Sequence, residues 1–125
     1  LGVPDRVVLT WDDDPATSQA VTWRTDENVK QVVAQVTPAL ATGGTDMARS
    51  AVTVNATTTA LTTDLGAAHY HSASFRGLRP ATRYAYRVGD GTNWSEWFHF
   101  RTASRRAEPF SFIYFGDAQN DVKSM

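Results

Sequence analysis

The stretch "LRPATRYAYRV" (residues 78–88) decides the fold. Pro80 turns the chain, and from Tyr84 onward the side chains alternate, with Tyr84, Tyr86 and Val88 on one side and Arg87 on the other. A period of two predicts a strand with one face in a core. A turn that delivers a tyrosine to the start of a strand is the arrangement of a tyrosine corner, so the Tyr84 hydroxyl is expected to bond the backbone a few residues upstream.

The same alternation runs outward in both directions. "RVVLTW" (6–11) is followed by an Asp14-Pro15 turn signal and by "QAVTWRT" (19–25), which puts Val21, Trp23 and Thr25 on one face. "QVVAQVT" (31–37) aligns Val32, Ala34 and Val36, and "HYHSASF" (69–75) aligns His69, His71, Ala73 and Phe75. "WSEWFHFRT" (94–102), read as one regular strand, puts Trp94, Phe98 and Phe100 on the core side and Trp97, His99 and Arg101 outside. Gly43-Gly44 breaks the chain before a weaker run, "MARSAVTVNAT", and the Thr/Ala-rich segment 55–68 reads as a strand edge and loop. About seven short antiparallel strands, each with one apolar face, are most simply satisfied by two sheets packed face to face.

Composition agrees and excludes other classes. A chain of 125 residues is one ordinary domain, and 42% apolar with 11% aromatic residues supports a packed core. A net charge of −1 supplies no basic field for nucleic acid. No apolar run approaches the ~20 residues of a membrane span, and no signal peptide is legible. With no cysteine, disulfides and thiolate metal sites are excluded, while the compartment stays open.

Several residues invite functional readings. "FSFIYF" (110–115) is almost continuously apolar, as in a strand buried on both faces of an α/β sheet, and it ends in Gly116-Asp117. Ligand groups gather at such strand ends, so Asp117 is a candidate hard oxygen ligand for a metal; a simple turn is the other reading. His69 and His71 share a strand face at a spacing that could serve one metal, but no third ligand has a recognisable spacing, and surface or packing roles are preferred. "DDD" (12–14) lacks a calcium-loop signature and reads as a solvated turn. Trp97 is the aromatic expected outside, for a sugar or a neighbouring domain, and Arg105-Arg106 is expected to solvate a linker.

Taken in order, "PDRVVLTWDDDPATSQAVTWRTDE", "LRPATRYAYRVGDG", "WSEWFHFRTA" and "FIYFGDAQ" resemble the N-terminal fibronectin type III-like domain of purple acid phosphatases, running into their calcineurin-like metallophosphoesterase domain. The resemblance implies an immunoglobulin-like sandwich over residues 1–103, a linker over 104–109 and the truncated start of an α/β catalytic domain over 110–125. It implies a non-catalytic domain whose partner is the catalytic domain that follows. In the full-length protein it implies hydrolysis of phosphate esters at a dinuclear centre of iron with iron, zinc or manganese, and a secreted, periplasmic or cell-surface location. Asp117 matches the first metal-ligand position, and His71 falls where the family often carries a histidine. Asp117-Ala118-Gln119 departs from the usual Asp-x-His or Asp-x-Gly, which leaves the metals and subfamily open. An autonomous carbohydrate- or protein-binding module is the alternative. Cut from its own sheet, the run 110–115 is expected to be disordered, to pair with an edge strand, or to drive self-association.

Overall fold

The computed structural model describes residues 3–29, 31–41 and 43–116. Alternating segments become strands in chain order: β1 (Asp5–Thr10), β2 (Gln19–Thr25), β3 (Val33–Pro38), β4 (Val52–Asn55), β5 (Thr57–Thr63), β6 (Gly66–Phe75), β7 (Arg83–Gly89) and β8 (Phe98–Arg101). Two four-stranded antiparallel sheets result, one in the order β1-β2-β6-β5 and the other β4-β3-β7-β8. The all-β sandwich is as expected. The count of about seven is corrected to eight, because the Thr-rich segment forms a full edge strand, β5, and not only an edge and loop.

The core lies between the sheets. Val21, Trp23, Ala73 and Phe75 from the first sheet face Ala34, Val36, Tyr84, Tyr86 and Val88 from the second, all buried. Phe100 lies parallel to Phe75 at 6.5 Å between ring centres and packs on Tyr84 at 5.6 Å, so aromatic rings bridge the two sheets. The chain changes sheet at Ala56, between β4 and β5, where its N–H is held by the Val32 carbonyl at 3.1 Å.

A helix, α1 (Gly44–Ser50), was not expected from the sequence. Seven residues with one buried side chain, Met47, are too short to display a 3.6-residue period. The helix packs on β3, on the face away from the core, where Val33 and Thr37 are buried. The Thr37 and Ser50 hydroxyls bond at 2.8 Å. The outer side of this sheet is thus partly covered, which the one-face reading of 31–37 did not include.

The run 94–102 also departs from a single regular strand. Only Phe98–Arg101 is strand, and Trp94 forms an isolated bridge with Gly89. A Cβ at Gly89 would collide with the Asn93 carbonyl oxygen and the Trp94 ring, so a glycine is required for the close return of this loop. The irregular segment between Trp94 and Phe98 removes Trp94 from the core face assigned to it.

The tyrosine corner is present. The Tyr84 hydroxyl accepts the Arg79 N–H at 2.9 Å. Buried Thr102, just past β8, accepts the Thr82 N–H at 2.9 Å and donates to the Arg79 carbonyl at 2.5 Å, locking the same turn to the C-terminal end of the sandwich. Tyr84→Phe keeps the ring and removes the acceptor, so the free energy of unfolding should fall by about 1 kcal/mol in urea titrations. An unchanged midpoint and slope would contradict the corner's contribution.

Candidate functional site

Three polar or aromatic clusters stand out on the folded chain, and the candidate histidines belong to the first. His71 is 1% exposed, beside Trp23 at 5.5 Å between ring centres. The Thr25 hydroxyl donates to the Asp26 carbonyl at 3.0 Å, so it accepts from His71 Nε2–H at 2.7 Å. His71 Nδ1 then accepts from the Thr58 hydroxyl at 2.9 Å. This network assigns a neutral ring with its proton on Nε2. Both nitrogens are committed, and the ring ties β2 to edge strand β5 across β6. His69 meets His71 edge-on at 6.2 Å, and its Nδ1 is buried without a partner, as is Trp23 Nε1, among the described residues. The pair shares a face as expected, and His71 has the structural bonds that a packing role requires.

The second cluster is the Arg87 stack. Its guanidinium lies 4.0 Å from the centre of the Trp94 ring and 4.6 Å from that of Trp97, within cation–π range of both. Its Nε–H donates to Gln35 at 2.8 Å, and Gln35 donates to the Thr53 hydroxyl at 3.2 Å across the sheet. The Trp97 edge lies where a Cβ on Gly44, at the start of α1, would sit at 3.1 Å. The assignment of the two tryptophans to opposite faces is therefore corrected. Both are half-buried against one cation, and Trp97 is not a free aromatic platform.

The third cluster surrounds the acidic turn. Asp13 accepts Arg76 at 2.7 Å, and Asp12 accepts the Ser74 hydroxyl at 3.0 Å. Asp14 closes its own turn through the Ala16 N–H at 2.9 Å and accepts Arg105 at 3.0 Å. Two arginines thus face three carboxylates, Arg76 shared by Asp12 and Asp13 and Arg105 on Asp14, and offset most of their charge. Arg105 is thus more than a solvating residue, since together with the Ala103 N–H on the Pro15 carbonyl at 3.0 Å it straps the C-terminal segment to the acidic turn. The strap leads residues 106–112 past Trp11, Pro15 and Arg101, leaving a groove between them.

Large apolar side chains in and beyond this groove are left exposed. Trp11 is 71% exposed, and in the run beyond the strap Phe110, Phe112, Ile113, Tyr114 and Phe115 are each 77–88% exposed. Residues 110–116 adopt no strand and make no β pairing among the described residues. Sequence reading missed Trp11 because it closes an alternating strand run; its position immediately before three aspartates was the only signal. Asp117 and Gln119 lie outside the described residues. Among the described residues no three His, Asp or Glu side chains converge on one point, so nothing described here could hold a dinuclear centre.

The geometry defines an antiparallel β-sandwich of fibronectin type III-like form with an exposed C-terminal strip. The family model described as "Purple acid Phosphatase, N-terminal domain" matches residues 4–102, and the chain belongs to that family. Among solved structures, a computationally redesigned β-sandwich protein is similar at a TM-score of 0.52 with 19% identity, over 85% of this chain and 99% of that one, which supports the fold alone. No curated protein sequence matches.

Burial first, and the charge of His69 second, push the His71 ring below its ordinary value of 6.5. Between that lowered value and 6.5 the unfolded chain binds a proton that the folded chain does not. His71 therefore contributes stability above pH 6.5 that is lost as pH falls toward the folded-state value. Urea midpoints should decline on acidification through this window, and His71→Gln should remove that part of the decline. A variant with the wild-type pH slope would show that His71 is not responsible.

Proposed function

We infer that this sandwich is the non-catalytic N-terminal companion of a metal-dependent phosphate-ester hydrolase, whose catalytic domain opens at about residue 110 and packs against the groove beside Trp11. The observation that carries this reading is the exposed strip. Fully burying a side chain such as Phe or Ile contributes ~1.5–3 kcal/mol, so five such residues left in water forgo on the order of 10 kcal/mol. That is comparable to the net stability of a whole domain. A strip of this kind, held to the sandwich by Arg105 and Ala103 and attached to a purple acid phosphatase N-terminal domain, is consistent with the first strand of a sheet supplied by following sequence.

In that setting Asp117 would stand at the end of the strand as an oxygen ligand, with Gln119 in place of the usual His or Gly leaving the metals open. One carboxylate does not make a dinuclear site, so no hydrolytic step is assigned to this chain. The sandwich's part is to hold the strand's entry point and to cover apolar surface on its neighbour. A secreted, periplasmic or cell-surface location accompanies the family. No helix among the described residues is long and apolar enough to cross a membrane.

Two results test the proposal. This 125-residue chain, supplied with iron, zinc or manganese, should not hydrolyse a generic phosphate monoester above the metal-only rate. The reading frame beyond residue 125 should encode an Asp-bearing second motif, a Gly-Asn-His segment and a Gly-His-x-His segment. Turnover by this chain, or a downstream sequence without those motifs, would sink the companion-domain reading.

A further inference from the structure

A two-sheet sandwich has four edge strands, and three of these are blunted in ways that discourage pairing with another chain. Strand β1 carries Asp5 and Arg6, with Arg6 at φ 49° and a shift of register between Asp5 and Val8. Strands β4 and β8 are four residues each, and β8 ends on Arg101. The fourth edge, β5, is different. It runs seven residues, "TTTALTT", every one exposed, with no charge and no proline. Among the described residues nothing pairs its outer side, since β6 occupies the inner side and β5 ends the sheet order.

We propose that β5 is a homodimerisation edge, pairing antiparallel with β5 of a second copy to make one continuous eight-stranded sheet. The sequence itself argues for this occupant. An isologous two-fold contact requires an edge that complements itself, and maximal overlap of the seven residues places the axis at Ala60. Ala60 then faces Ala60, Thr59 faces Leu61, Thr58 faces Thr62 and Thr57 faces Thr63. Threonine pairs and Thr–Leu pairs suit cross-strand neighbours, and no like charges meet because Asp64 lies opposite Ala56. The His71–Thr58 bond holds β5 against β6, so the edge is presented as a formed strand. This edge is the opposite end of the sheet from β1 and Trp11, so a dimer here leaves the proposed catalytic-domain groove open.

The absence of cysteine makes the test clean. In Ala60→Cys the two new thiols sit directly opposite each other, within reach of a disulfide, whereas in Leu65→Cys each lies five residues past the axis on opposite sides. Mild oxidation should crosslink A60C into a dimer and leave L65C monomeric. Sedimentation of the unaltered chain should show a mass rising toward twice the monomer with concentration. Thr59→Lys with Leu61→Lys should hold it at the monomer mass, with a urea midpoint equal to that of the unaltered chain at dilutions where both are monomeric. A monomer up to the solubility limit, equal crosslinking of A60C and L65C, or a dimer that survives the double lysine variant would each overturn the proposal. Dissolution of the dimer by Phe112→Ser with Phe115→Ser instead would overturn it in favour of association through the C-terminal strip.

Discussion

The contact on which this molecule depends is the aromatic layer between its sheets, where Phe75 of one sheet meets Tyr86 and Phe100 of the other. Closing that layer fixes the separation and relative orientation of the sheets. It also sets where the chain must turn. Tyr84 packs on Phe100 inside the layer and reaches out through its hydroxyl to the Arg79 N–H. Thr102 binds the same turn from the end of β8. Residues 103–105 leave from this fixed point, so the bonds to Pro15 and Asp14 direct the C-terminal strip past Trp11.

The two outer surfaces follow from the same geometry. The second sheet is stiffened on its outer side by α1 and by Arg87 stacked between two tryptophans. The first sheet has its outer face and one long edge exposed, with hydroxyl groups in place of charge along β5. Polar bonds in the interior are few and specific. His71 is the principal one, and its neutral ring joins three adjacent strands, which makes acid a means of loosening the β5 side of the sandwich.

Much of this was legible in the sequence wherever a strand has one wet and one dry face. Val21, Trp23, Phe75, Tyr84, Tyr86 and Val88 were all readable as core because a period of two is unambiguous over five or more residues. Legibility failed where local order was short or depended on a distant partner. Met47 docks a seven-residue helix with too few turns to show periodicity. Trp94 was placed in the core by assuming a regular strand through Ser95 and Glu96, where the chain instead bends back on Gly89 and gives both tryptophans to Arg87. Arg105 and Asp14 are 91 residues apart, and nothing local announces their pairing. The candidate ligand Asp117, read from its place after an apolar run and from the family pattern, lies outside the described residues.

On the companion-domain proposal, the strip at 110–115 and Trp11 form a surface for a following domain, beside a sandwich whose two sheets already close their own core. Amide hydrogen exchange compared between this chain and the longer product of its reading frame tests that proposal directly. The account predicts fast exchange at 110–115 in this chain, strong protection there in the longer product, and little change through β2, β3, β6 and β7. Protection of 110–115 already in a monomer of this chain, or its absence in the longer product, would contradict it.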